Sequence, residues 1–181
     1  MEKCYNTDIG ESNMKVKFEV VEDDILNQAE WADAIVNCAN AMMIHGGGIC
    51  GTIFEAAGKE LDKECKEFRG SKVGNAIITK GYNIPAKIIH AVGPRYDSSS
   101  DQNKELLLKT YQNVIKTAEE NGIERIAIPL ISSGIYAYPL PLAATTAVEY
   151  LKELESDVVK EVKLVLYTSV YYLLCRELAT K

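Results

Sequence analysis

Polar and apolar positions alternate along residues 15–21, with Lys15, Lys17 and Glu19 set against Val16, Phe18 and Val20. A period of two predicts a half-buried strand at a sheet edge. Ile25–Glu30 follows as a short helical turn, and Ala34–Cys38 is an apolar run of the kind that forms a central strand. Residues 51–68 carry Ile53, Phe54, Ala57, Leu61 and Cys65 at helical spacing, which predicts one helix. Ala76–Thr79 and residues 87–92 read as two strands joined by a turn containing Pro85. A polar loop over 96–102 leads into an amphipathic helix over 103–121, stopped by Gly122. Residues 125–131 and 162–167 are further apolar strands, and 140–155 and 169–179 further helices.

Strands that alternate with helices predict an α/β fold. The expected form is a three-layer α/β/α sandwich around a mixed, mostly parallel central sheet. No internal repeat or linker divides the chain. Residues 14–181 are expected to form one domain behind a polar, flexible leader at 1–13. In such sheets ligands gather at the carboxyl ends of the strands. Two loops leave from that end, one after Cys38 and one after Ile131.

Composition narrows the classes of function. The net charge of −6 argues against general nucleic-acid binding, which needs a surplus of Lys and Arg to neutralise phosphates. The five cysteines contain no CxxC pair, so neither a disulfide framework nor a closed zinc site is expected, and the reading is cytoplasmic. No run approaches the length of a membrane span, and the polar start lacks the apolar core of a signal peptide.

The richest stretch is Asn37-Cys38-Ala39-Asn40 followed by His45-Gly46-Gly47-Gly48-Ile49-Cys50-Gly51. Glycines let a ligand approach the main chain, and a helix beginning near Gly51 would aim free N–H groups at that turn. Strand, glycine turn and helix start together make a phosphate cradle. Ser132-Ser133-Gly134-Ile135-Tyr136 supplies a second loop of similar design.

These two loops resemble the macrodomains, a family that binds ADP-ribose. The Asn-Cys-Ala-Asn run, the glycines and Ala56-Ala57-Gly58 are similar to its first motif, and 131–136 to its second. Residues 76–82 and 89–94 are similar to further family strands. The resemblance implies a role for each matching position. Asp24 would accept from the adenine amine, and the Ile25 N–H would meet the adenine ring. Gly46, Gly47, Gly48, Ile49, Cys50 and Gly51 would form the first diphosphate loop. Ser132, Ser133, Gly134, Ile135 and Tyr136 would form the second, with Tyr136 as its lid. Asn40 would hold the distal ribose, and Tyr167 would flank adenine. The expected partner is ADP-ribose or an ADP-ribosylated protein, handled by a monomer without metal or cofactor. A diphosphate held by backbone N–H groups is compatible with an acidic chain.

One departure bears on catalysis. Hydrolase-type macrodomains carry an acid where this chain has Cys50. A thiol with an ordinary pKa near ~8.5 is a poor base for water, so the expected role of Cys50 is that of a small apolar residue. His45-Gly46-Gly47-Gly48 resembles the loop of viral macrodomains, which lack the acid and still remove ADP-ribose. Hydrolysis would then rest on Asn40 and the ligand's own phosphate orienting a water, with His45 nearby. The alternative is a non-catalytic reader of ADP-ribose, in which His45 only shapes the ribose end. Asn37 is expected to hold the loop through its side chain, and His90 to be a satisfied core histidine. Ala137 stands where the family usually has glycine.

Overall fold

A computed structural model describes residues 14–181. The expected leader over 1–13 lies outside the described residues. Thirteen strands and α-helices follow in chain order. They are β1 (Met14–Lys15), β2 (Lys17–Glu22), β3 (Ala34–Cys38), α1 (Gly48–Ala57), α2 (Lys59–Glu67), β4 (Ala76–Thr79) and β5 (Lys87–Ala91), then α3 (Asn103–Glu120), β6 (Arg125–Pro129), α4 (Leu140–Lys152), β7 (Glu155–Ser156), β8 (Glu161–Leu166) and α5 (Ser169–Thr180). A 3-10 helix at Ile25–Glu30 separates β2 from β3.

The main sheet has the order β2-β8-β6-β3-β5-β4. All its pairs are parallel except β4 with β5. The predicted mixed, mostly parallel sheet is therefore present, with β2 at an edge. Side chains alternate between its faces. Ala34, Val36, Ile126, Ile128, Val162 and Leu164 point to one core, shared with Leu107, Tyr111 and Val114 of α3 and Ala143, Ala147 and Leu151 of α4. Ile35, Ile88, Ala127 and Val165 point to the other, against Ile53, Phe54 and Leu61 of α1 and α2. Each fully buried Ile or Leu contributes about 2 kcal/mol of apolar transfer, so a helix layer on each face follows from the two-sided apolar strands.

Three predicted elements differ from those observed. The single helix over 51–68 is two helices, starting three residues earlier and broken at Gly58. Gly58 has φ of +91°, a conformation open to glycine, and a Cβ there would lie 2.8 Å from the Asn83 amide nitrogen. The strand over 15–21 divides at buried Val16, because Met14 and Lys15 pair instead with Ser156 and Glu155 in a small antiparallel ribbon. That same ribbon takes Glu155 out of the helix predicted over 140–155, which ends at Lys152.

The sheet opens at its carboxyl edge. β3 shares five register pairs with β5, and β6 shares five with β8. Between β3 and β6 there are only two, Ala34 with Ile126 and Ile35 with Ala127. Beyond them the strands part. Ala39 N–H follows β5, donating to Ala91 O at 2.9 Å. Ile131 N–H instead donates to the buried Tyr111 hydroxyl at 3.0 Å, so a side chain from α3 replaces the missing ladder partner.

Candidate functional site

A cavity of about 550 Å³ occupies this opening. It lies at the carboxyl ends of the parallel strands, where ligands of open α/β sheets bind. The loops around its mouth follow strand order: Asp23 and Ile25 after β2, Tyr167 after β8, Ser132–Tyr136 after β6, Asn40 and 46–50 after β3, and Gly93 and Arg95 after β5.

The first loop forms the N-terminus of α1. Gly47 caps that helix with extended backbone and no side-chain hydrogen bond, and Gly48 has φ of +60°. The first N–H groups of α1 therefore lack intrahelical acceptors and carry the positive end of the helix dipole. Gly51 does not line the cavity. A Cβ there would sit 2.5 Å from the Gly46 carbonyl oxygen, so Gly51 lets the turn fold back onto its own helix.

The second loop turns through Ser132 at φ +67° and Ala137 at φ +54°, both in the left-handed region. Ala137 thus occupies a conformation that glycine would take without strain, and its N–H still donates to Gly134 O at 2.9 Å. Tyr138 N–H donates to Ser132 O and Tyr96 N–H to Tyr136 O, both at 3.0 Å. Among the described residues, the N–H groups of Gly134, Ile135 and Tyr136 have no backbone acceptor. The two loops face each other closely, since a Cβ on Gly47 would lie 3.0 Å from Ile135 Cδ1.

The remaining predicted residues are spread around this centre. Asp24 caps the 3-10 helix, its Oδ1 accepting from Leu26 N–H at 2.9 Å, and it stands beside the cavity rather than on its wall. The adjacent Asp23 does line the wall. Its carboxylate accepts from Asn27 and Gln28, and the Asn27 hydrogen bond, chiefly, holds its pKa below the ordinary carboxylate value. Asn40 closes its own loop, donating to Ile44 O at 2.7 Å and accepting from Ile44 N–H at 3.3 Å. Tyr167 is 79% exposed at the mouth. His45 lies outside the wall. Its ring packs edge-on to Phe54 at 5.7 Å, and its Nε2 is 3.8 Å from Glu55.

Beneath the first loop runs a buried polar chain. Asn37 Nδ2 is 3.0 Å from His90 Nδ1 and 3.7 Å from Cys50 Sγ. Thr79 Oγ1 is 3.0 Å from His90 Nε2 and donates to Lys80 O. Asn37 donating to Nδ1 assigns the proton to Nε2, which donates to Thr79. Burial lowers the His90 pKa to about 4, so the ring is neutral. Burial also raises the Cys50 thiol above its ordinary value, outweighing the Asn37 hydrogen bond. Cys50 is thus a neutral thiol on the cavity floor.

Several wall residues were not singled out by sequence pattern: Asp23, Gly93, Arg95 and Tyr171. Arg95 had a signal, because it follows the Gly93-Pro94 stop of β5 at the ligand edge. Asp23 had a weaker one, as the first of two adjacent acids after β2. Among the described residues no three His, Cys, Asp or Glu side chains gather as a metal site would need. None of the helices among the described residues is long and apolar enough to cross a membrane.

The architecture and the sequence agree with one group of known proteins. The Macro domain family model matches residues 36–147. The chain belongs to the macrodomain family. An uncharacterised protein of Fusobacterium nucleatum is 49% identical over 138 residues, covering 74% of this chain and 78% of its own length. A Pantoea vagans protein named O-acetyl-ADP-ribose deacetylase 1 is 37% identical, covering 86% of this macrodomain and 94% of its own length. Among solved structures, an Oceanobacillus iheyensis macrodomain with ADP superposes with a TM-score of 0.82 at 34% identity, covering 93% of both chains. A Trypanosoma brucei macrodomain in complex with ADP-ribose gives a TM-score of 0.78 at 30% identity, covering 88% of this chain and 68% of that one.

Proposed function

We propose that this macrodomain binds ADP-ribose across the opening between β3 and β6 and acts on ADP-ribose derivatives joined at the distal ribose. The observation that carries the reading is the pair of facing loops, each offering unpaired backbone N–H groups. These neutralise a diphosphate without Lys or Arg. The adenine lies toward Asp23, Asp24, Ile25 and Tyr167, and the distal ribose toward Asn40. Neighbours solved with ADP and with ADP-ribose support this ligand class.

The reaction is hydrolysis of a mono-ADP-ribosyl protein or of O-acetyl-ADP-ribose, the latter supported by the name of the Pantoea vagans relative. The Oceanobacillus iheyensis macrodomain has been solved with an asparagine and, separately, an aspartate replaced by alanine. Those two positions are ten apart, the spacing of Asn40 and Cys50 here. That spacing supports Cys50 as the stand-in for an acid. With a neutral thiol there, the first loop offers no carboxylate to activate water. A water would be oriented by Asn40 and by the ligand's phosphate oxygens.

The neutral Cys50 and the outward His45 favour a second reading, in which the domain holds ADP-ribose without turnover. Calorimetry with ADP-ribose tests binding. Release of ADP-ribose from a mono-ADP-ribosylated protein, and of acetate from O-acetyl-ADP-ribose, tests turnover. Binding without release at high enzyme concentration leaves the reader function alone.

A further inference from the structure

Arg95 is the sole Lys or Arg among the described residues that line the cavity. Its guanidinium stacks on the Tyr136 ring, 4.5 Å from the centroid. Among the described residues no carboxylate lies within ion-pair distance of it. The following residue is fixed twice over: Tyr96 N–H donates to Tyr136 O at 3.0 Å, and the Tyr96 ring packs edge-on to Tyr138 at 5.2 Å. Arg95 and the second loop are therefore one assembled unit, with a cation placed where a charged ligand enters.

Strand order gives that cation a direction. β5 lies on the far side of β3 from β6, β8 and β2. Arg95 therefore stands at the end of the cavity opposite Asp23. One end carries a carboxylate engaged with amide donors, and the other a guanidinium presented on an aromatic face. A planar guanidinium pre-set by stacking loses little freedom when it meets phosphate oxygens.

We infer that Arg95 is a specificity-determining ligand contact, donating to the distal phosphate of a bound nucleoside diphosphate sugar and so fixing which way round the molecule lies. This rests on the reading that the cavity takes ADP-ribose, and it adds a side-chain cation to the backbone cradle. Tyr136 acts as the platform that aims it.

The test is calorimetry of adenosine, ADP and ADP-ribose with the unaltered protein, R95A and R95K, at low and high sodium chloride. R95A is expected to weaken ADP and ADP-ribose about tenfold or more, the scale of one charge-assisted hydrogen bond. Adenosine affinity should not change. Wild-type affinity for ADP-ribose should fall with salt, and that dependence should flatten in R95A. R95K should restore the salt dependence without restoring full affinity, because an ammonium neither stacks nor forks. On a Y136L background R95A should cost less than it does alone, as coupled positions require. ADP-ribose affinity within twofold of wild type in R95A would overturn the inference. So would an equal loss for adenosine, which marks a merely structural role. Failure of the unaltered protein to bind ADP-ribose overturns the underlying reading, and the inference with it.

Discussion

The two ends of the cavity are built from opposite materials. At the β2 end, Asp23 and Asp24 immediately precede a 3-10 helix, and their carboxylates are occupied with local amides and N–H groups. At the β3 and β5 end no carboxylate lines the wall among the described residues. The groups there are a neutral thiol, an Asn amide and a guanidinium. On the proposed hydrolytic reading, the difference separates holding from reacting. The acid end can grip an exocyclic amine by a charge-assisted hydrogen bond. On the same hydrolytic reading, the other end would take its base from the ligand, since no carboxylate lines it among the described residues.

Acid should loosen the β3 end. His90 is neutral and buried beneath it, with a pKa lowered to about 4 against 6.5 for a free histidine. The unfolded chain binds that proton more readily, so the stabilisation is complete above pH 6.5 and is lost as pH falls through 4. The expected loss is on the order of 3 kcal/mol. Melting temperatures measured from pH 7.5 to 4.5 should show it. His90→Gln should start from a lower value and fall less steeply over that window.

Gly51→Ala should damage the first loop and spare the acid end. Its Cβ meets the Gly46 carbonyl at 2.5 Å, so either the turn or α1 must move. Overpacking of this kind costs about 2 kcal/mol. ADP-ribose affinity should drop at least tenfold while adenosine binding changes little; equal losses would show that the two ends are not independent.

Asp24→Ala probes the opposite end. Loss of the cap on Leu26 should cost about 1 kcal/mol of stability. ADP-ribose should weaken far more than ribose phosphate, and a parallel Asp23→Ala variant shows which acid meets the amine. Equal losses for both ligands would remove adenine from this end.

The smallest expected effect belongs to Cys50→Ala. A thiol held neutral by burial cannot serve as base, so any measured turnover should stay within about twofold. Cys50→Asp should keep the fold and test whether an acid installs or accelerates hydrolysis, at some cost in affinity beside a diphosphate. A large loss in Cys50→Ala would assign the thiol a chemical part.

Much of the fold was readable because the strands are apolar on both faces and the helices are punctuated. Ala34–Cys38 could be read as a central strand from three apolar residues in a row, and Gly122 marks the end of α3. The β1–β7 ribbon could not be read. Two-residue strands carry no periodicity, and their pairing is settled by tertiary proximity. The break at Gly58 was hidden because Phe54, Leu61 and Cys65 keep helical spacing across it. Within the cavity the glycine loops announce themselves by composition. The direction of a side chain does not, which is why His45, beside the glycines in sequence, turns to Phe54 instead. Arg95 joins the wall from a different strand altogether, through a stacking contact that no local pattern encodes.

The early parting of β3 from β6 has a consequence of another kind. The width of the gap is set by main-chain ladders and by one tyrosine hydroxyl, none of which depends on the residue at position 50. The frame of the opening and the chemistry of its floor can thereby change independently. The residue at the floor of the gap can be exchanged, acid for thiol or back again, without rebuilding the frame that sets the opening.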